Sequence, residues 1–228
     1  MTWPASSDLE EFTEAVEWFR NLLPLTDEQF EQLSTDAQRR AFRVAGVAQL
    51  DIVSQVFNAL LGAIANGTKF EDFKRDVVPA LEKAWGESDP HRVETIFRNN
   101  VQRAYNRGRW KQMRDPEVAA VRPYLMYDAI VDDRTTDICR QLHGTVLPAE
   151  DSFWSTRLPP LHHRCRSSLR SLTTKQAERR GITEERPIVE ADQGFGDSPD
   201  IESDWQPDAG NYPPELWRIY ERKQAEAG

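Results

Sequence analysis

The chain of 228 residues is long enough for one large domain or two small ones. Its 39% hydrophobic and 29% charged residues favour a helix-rich protein with broad solvated faces, or one that completes its core in an assembly. No apolar run approaches the ~20 residues of a membrane span and the N-terminus lacks the pattern of a secretory signal, so we expect no membrane partner.

The net charge of -9 is unevenly distributed along the chain. Residues 1–90 contain 8 basic and 16 acidic side chains, residues 91–180 contain 17 and 10, and residues 181–228 contain 4 and 12. A basic middle between acidic ends indicates contact with nucleic acid or with an acidic protein surface. The alternative is that solvated helix faces simply differ in sign.

Hydrophobic periodicity predicts helices in the first part of the chain. Residues 8–23 carry apolar side chains at three- and four-residue spacing, which is typical of an amphipathic helix. Thr26 is a candidate N-cap for a short second helix. A longer pattern predicts one helix over residues 36–65, with Phe42 in its buried stripe.

Two further helices are predicted from their start signals. Thr68 and Glu71 have the spacing of a capping box. Asp89 is a candidate N-cap, and Pro90 then takes the first helical position. The sequence therefore predicts a helical domain of four to five helices over residues 1–114.

Beyond this domain the pattern changes to short strands and helices. Residues 124–133 alternate and contain aromatic and β-branched side chains, as a strand does. We therefore expect a small mixed α/β domain over residues 115–181, followed by an extended acidic arm over residues 182–228 that ends in a helix. The predicted fold class is α+β. Shorter elements are predicted at TTDICRQL (helix), GTVLP (strand), SSLRSLT (strand), TKQAERRG (helix) and PPELWRIYERKQA (helix).

Both cysteines and three of the four histidines lie within residues 139–165. Cys139 and His143 are four apart and would share a helix face, whereas His162 and Cys165 are three apart, a spacing typical of structural zinc. Together they would form a closed tetrahedral shell. Two alternatives are a packed polar cluster without metal and a catalytic centre in which His162 or His163 is the general base.

A second constellation surrounds Arg134 in the segment DDRTTDICR, where three aspartates lie close in sequence. An arginine in such a turn either binds phosphate or pairs with a carboxylate that fixes the turn. In a nuclease, Arg134 or Arg166 would hold the scissile phosphate.

The few cysteines also fit a reducing compartment, in which a cysteine pair serves more often as ligands than as a disulfide.

Three blocks in order, ETIFRNNVQRAYNRGRWKQM, YLMYDAIVDDRTTDICRQLHGTVLP and PPLHHRCRSSLRSL, resemble the phage Mu F-like head morphogenesis (minor head protein) family. DQGFGDSPDIESDWQPD resembles the downstream arm of that family. The resemblance covers about residues 90–210, whereas residues 1–88 match only in being helical. The family often has a third cysteine at the position of Ser167 and a proline at that of His163. The matching positions are Asp133, Arg134, Thr135, Cys139, Gly144, His162, Cys165 and Arg166.

The resemblance implies a non-enzymatic minor head protein of a tailed phage or prophage, which acts in head assembly, DNA packaging or ejection. The implied partners are the portal protein, the major capsid protein or both, with the basic segment 91–180 facing packaged DNA. The implied location is the virion, in the capsid interior or at the portal vertex, and the host cytoplasm during assembly. The alternative is an RNase-like nuclease or nuclease-derived toxin module that uses His162, His163 and Arg134.

Overall fold

The computed structural model describes residues 12–33, 38 and 41–198, together with residues 209, 214, 217–218, 221–222 and 225 near the C-terminus. Across these residues there are eight helices and two small sheets. The predicted α+β class is therefore confirmed. None of the described helices is long and apolar enough to cross a membrane.

Among the described residues before Asp115 there are five helices and one pair of very short parallel strands. The helices pack around a core that includes Phe19, Phe57, Leu60 and Phe73. The elements are α1 (Thr13–Arg20), β1 (Leu23–Pro24), α2 (Asp27–Glu31), β2 (Ala41–Phe42), α3 (Leu50–Asn66), α4 (Phe70–Trp85) and α5 (Pro90–Arg114).

The prediction of one helix over residues 36–65 is wrong over residues 41–49; residues 36–37 and 39–40 lie outside the described residues. Phe42 is buried as expected, but it lies in β2 and pairs with β1. The chain then turns at Gly46, where φ is +71°, a left-handed conformation that glycine adopts readily. Asp27 accepts the Gly46 N–H and Arg92 donates to the Ala45 carbonyl, so contacts distant in sequence stop the helical pattern before Leu50.

Helix start signals were predicted with mixed success. Thr26 and Gln29 form a capping box, and Asp89 caps α5 with Pro90 in its first turn, so both predictions are confirmed. The capping box at Thr68 is wrong, because Lys69 is the N-cap of α4 and makes no side-chain cap bond. The Thr68 hydroxyl instead donates to the Gly62 carbonyl of the preceding helix.

The second part of the chain surrounds a three-stranded antiparallel sheet in the order β4-β3-β5. The predicted strand over residues 124–133 ends at Asp128, and a loop leads to the next helix. The short helix α6 was not predicted. The elements are α6 (Pro116–Val121), β3 (Tyr124–Asp128), α7 (Asp137–Leu142), β4 (Val146–Pro148), a 3₁₀ helix (Ser152–Thr156), β5 (Ser168–Leu172) and α8 (Thr174–Arg180).

Helix α5 belongs to two hydrophobic cores. Val93 and Ala104 lie in the helical core, whereas Trp110 and Met113 lie in the core around the sheet. A Cβ built on Gly108 would lie 2.7 Å from the backbone nitrogen of Ala15, so α1 packs directly on the α5 backbone. The predicted domain limits at 114/115 and 181/182 stay predictions. Helix α5, which ends at the first limit, contributes residues to the cores on both sides of it.

The beginning of the predicted arm packs on its own chain. The Leu158 N–H donates to the Gly196 carbonyl at 2.9 Å, and the Ser198 N–H donates to the Ser155 carbonyl at 2.8 Å. At Gly196, φ is +85° and a Cβ would lie 2.5 Å from the Thr156 carbonyl oxygen, so only glycine fits. The predicted terminal helix lies largely outside the described residues.

Candidate functional site

Cys139, His162 and Cys165 come together between α7 and the loop before β5. The Cys139 and Cys165 sulfurs are 3.6 Å apart, and Cys139 Sγ lies 3.1 Å from His162 Nε2. One ligand atom from each residue lies within 4.8 Å of the other two. The residues are 3%, 9% and 4% exposed, so the sequence-predicted cluster exists for three of its four members and is buried.

Local structure explains why the three side chains converge. Thr136 is the N-cap of α7, and its hydroxyl accepts the Cys139 N–H at 3.4 Å, which fixes Cys139 in the first turn. The same hydroxyl lies 2.8 Å from His162 Nε2. Buried Leu142 and Leu161 pack beside the cluster on the two segments. Thr136 therefore links the helix that carries one ligand to the loop that carries the others.

The His162 ring has a defined orientation. Its Nδ1 lies 2.8 Å from the His163 carbonyl oxygen, which can only accept, so Nδ1 carries a proton and donates. Nε2 therefore faces Cys139. A metal-ligating histidine usually donates its other ring N–H to a carbonyl or carboxylate in this way, so the arrangement around His162 suits a ligand.

The thiols and the imidazole perturb one another. The hydrogen bond with Cys165 does most to lower the pKa of Cys139, and the one with His162 lowers it further against the opposing effect of burial. The bond to Cys139 raises the pKa of Cys165, and that of His162 is also raised by its bond to Cys139. Burial raises the pKa of Tyr127, whose neutral hydroxyl lies 3.3 Å from Cys139 Sγ.

His143 lies outside the cluster, so the four-ligand set is not assembled. Helix α7 ends at Leu142, and His143 has φ −58° and ψ 127°, so the helical spacing from Cys139 no longer applies. Its exposed ring accepts the Ala129 N–H at Nδ1, at 3.1 Å. Among the described residues, the cluster that could hold a metal consists of the other three predicted ligands.

His163 connects α5 to the arm. Asn99 Nδ2 lies 2.7 Å from His163 Nδ1, and the Phe195 ring packs edge-on at 4.9 Å between centroids. The residue is exposed and forms no part of the candidate metal cluster. Its position beside the cluster therefore has a structural explanation.

Sequence reasoning missed the amide side chains on α5 that hold the loop. Asn99 Oδ1 accepts the Arg164 N–H at 2.7 Å. Gln102 and Asn106 donate to the carbonyl of Ser167 at 2.8 and 3.2 Å. Their spacing of three and four residues places all three amides on one helix face. The signal in the sequence was the row of amide side chains at this spacing on one face of the predicted helix.

Arg166 and Arg134 have different environments. Arg166 makes a bidentate ion pair with Asp132 at 2.8 and 2.5 Å. This pairing holds the pKa of the Asp132 carboxyl below its usual range. Arg134 is 77% exposed, with its guanidinium 3.9 Å from Asp132. The sequence proposed that Arg134 fixes the turn by pairing with a carboxylate, whereas in the structure Arg166 makes the close pair with Asp132.

The donor set of the cluster fits zinc. Two sulfurs and one imidazole nitrogen are ligands that zinc prefers, and the lowered pKa of Cys139 favours the thiolate that metals bind. Cys139, His162 and Cys165 are the residues that would hold the ion. Burial of all three suits a role in stabilising the fold more than one in turnover of a substrate.

Comparison with known proteins gives a consistent result. The family model "Phage Mu protein F like protein" matches residues 54–170. The chain is 32% identical over 187 residues to "Putative capsid assembly protein F" of Escherichia phage Mu, which covers 74% of this chain and 42% of that protein. It is 31% identical over 166 residues to "Mu-like prophage FluMu F protein" of Haemophilus influenzae, with coverages of 67% and 39%.

The chain thus spans about two fifths of the length of these curated relatives. No solved structure matches it. The matched range runs from α3 into β5 and contains the amide face of α5 and the whole Cys/His cluster. It begins earlier than the resemblance found in the sequence, which started near residue 90.

Proposed function

Because the chain belongs to the phage Mu protein F like family, we propose that it is part of a tailed-phage or prophage head protein that acts in capsid assembly. The observation that carries this proposal is the family match over α3 to β5, which includes parts of both cores and the helix that joins them. The name of the phage Mu relative supports an assembly role and says nothing of a reaction.

The proposed partners are the portal protein, the major capsid protein or both, with packaged DNA facing the basic segment 91–180. The proposed location is the capsid interior or the portal vertex, and the host cytoplasm while the head assembles. Ile130 and Val131 support a protein contact, because these adjacent apolar side chains are 54% and 50% exposed in the loop after β3. Such residues gain stability when a partner covers them.

Co-purification with portal-bearing procapsids tests this proposal. We expect the wild-type protein to sediment with procapsids, and Ile130→Asp/Val131→Asp to be largely lost from them. Ile182→Asp/Ile188→Asp is the control, because it places the same two charges on apolar residues that are also exposed, at 41% and 99%. Wild-type protein found only free in the lysate would refute the proposal. If the Ile130→Asp/Val131→Asp variant is retained in procapsids as well as the wild type is, the loop after β3 is not the contact surface.

A separate proposal concerns the metal: Cys139, His162 and Cys165 bind a structural zinc ion that ties α7 to β5. The distances within the cluster and the oriented His162 ring support it. Metal analysis of purified protein should give about one zinc per chain. Cys165→Ala should abolish the zinc, whereas the control His143→Ala should retain it, because His143 lies outside the cluster. Metal-free wild-type protein that is fully folded would contradict the proposal.

The nuclease alternative gains no support from the geometry. His162 contacts Cys139 and Thr136, and Arg166 is paired with Asp132. Arg134 lies exposed on the surface. A nuclease would need a free base and a free arginine converging on one phosphate.

A further inference from the structure

A groove of about 700 Å³ opens between the C-terminal part of α5, strand β5 and helix α8. It lies on the sheet side of the molecule. Among the residues that the structure describes, no acidic side chain lines it, although acidic residues outnumber basic ones in the whole chain. Its lining includes five arginines: Arg109, Arg122, Arg170, Arg179 and Arg180.

Two of these arginines are held in place by the sheet. Arg122 donates to the hydroxyl and the carbonyl of Ser171 at 2.9 and 2.5 Å. Arg170 pairs with Asp128 on the neighbouring strand at 2.7 Å. Both side chains are therefore anchored at the floor of the groove, and β5 positions them.

The other three arginines carry the uncompensated charge. Arg109 lies exposed on α5, and Arg179 and Arg180 lie exposed on α8. None of the three forms an ion pair with any residue in the described ranges; Arg179 donates to the carbonyl of Lys175 in its own helix. Like charges gathered at one place raise the local positive potential and attract an anion.

The remaining lining suits a phosphodiester backbone. Gln112 and Gln176 supply amide groups, and the apolar lining residues Met113, Leu169 and Leu172 are buried in the hydrophobic cores beside them. Contacts of this kind bind the nucleic-acid backbone without reading its sequence. Several guanidinium groups spread over three elements match the repeated phosphates of one strand better than a single carboxylate.

We propose that this groove binds the phosphate backbone of duplex DNA. The inference rests on the proposed function, because DNA is the polyanion enclosed in a phage head. It locates the DNA contact of the basic segment at residues that no comparison assigns. A chain of net charge -9 is repelled by DNA as a whole, so contact requires a surface from which acidic side chains are excluded, as they are here.

The test is the salt dependence of binding to a fluorescent 20-base-pair duplex, measured by anisotropy with the full chain. Three phosphate contacts give a slope of log K against log salt of about −2.7, which is about 40-fold weaker binding at 200 mM than at 50 mM salt. The variant Arg109→Gln/Arg179→Gln/Arg180→Gln should lose nearly all of that slope. Its circular dichroism should be unchanged, because all three side chains are exposed.

The control is Arg20→Gln/Arg75→Gln/Lys83→Gln, which removes the same charge from exposed residues of α1 and α4. It should retain most of the slope. Equal losses in both variants, no binding by wild type, or preference for polyglutamate over DNA would each overturn the proposal. Retention in procapsids reports on the assembly role separately, so a groove that fails to bind DNA leaves that role intact.

Discussion

Asn99→Ala should destabilise the protein because it removes two long-range hydrogen bonds between α5 and the loop at 162–167. Asn99 accepts the Arg164 N–H at 2.7 Å and donates to the His163 ring at 2.7 Å. At about 0.5–1.5 kcal/mol each, the two bonds contribute about 1–3 kcal/mol to the free energy of unfolding. Because the loop carries His162 and Cys165, the loss should also weaken metal binding.

The adjacent Asn100 provides a matched control. Its amide donates at 2.8 Å to the Ile96 carbonyl of its own helix and links no other element. Both substitutions gain the same helix propensity, roughly 0.5 kcal/mol from Asn to Ala, so the difference between them isolates the loop contacts.

Urea denaturation followed by circular dichroism measures this difference. With an m-value of about 3 kcal/mol/M, the midpoint of Asn99→Ala should lie roughly 0.3–1 M below that of Asn100→Ala. Equal midpoints would refute the inference that the α5 amide face holds the loop. A lowered midpoint with unchanged zinc affinity would limit the role of Asn99 to the fold.

Three further predictions follow from particular contacts. Gly108→Ala should lower the free energy of unfolding by about 1–3 kcal/mol, because a Cβ there meets the backbone of α1. The control Gly62→Ala should be neutral or stabilising, because there is open space around that residue. A larger loss in Gly62→Ala than in Gly108→Ala would contradict this packing. Arg186 lowers the pKa of Asp151, so this carboxylate stabilises the fold above its unfolded pKa and loses that effect as pH falls through its folded pKa. Asp151→Asn should therefore reduce the difference in melting temperature between pH 6 and pH 3. An unchanged difference would count against a stabilising role of the Asp151–Arg186 pair. Incubation with RNA and DNA, with and without chelator, should give no cleavage, and cleavage that disappears in His162→Ala would restore the nuclease alternative.

The features predicted correctly depend on neighbours in sequence. Thr26 and Asp89 each form a cap with the residue three positions further on, and these local rules hold in the structure. The cluster of Cys139 with His162 and Cys165 lies between distant segments, and it was predicted because five of the six Cys and His residues crowd into residues 139–165 at ligand-like spacings.

The features that sequence reasoning missed depend on tertiary contacts. His143 was expected on the helix face of Cys139, but α7 is too short to reach it. The turn at Gly46 forms because Asp27 and Arg92 bind its backbone from other elements. The arginine groove forms where α5, β5 and α8 each contribute residues from distant parts of the sequence, which no local pattern indicates.

The most direct test of the assembly role is an electron cryo-microscopy reconstruction of the intact head, including its portal vertex. We expect density for α5 and the three-stranded sheet on the inner side of the capsid or at the portal, with the loop of Ile130 and Val131 against a protein partner. Mature, infectious heads that contain no copy of this protein would contradict the account.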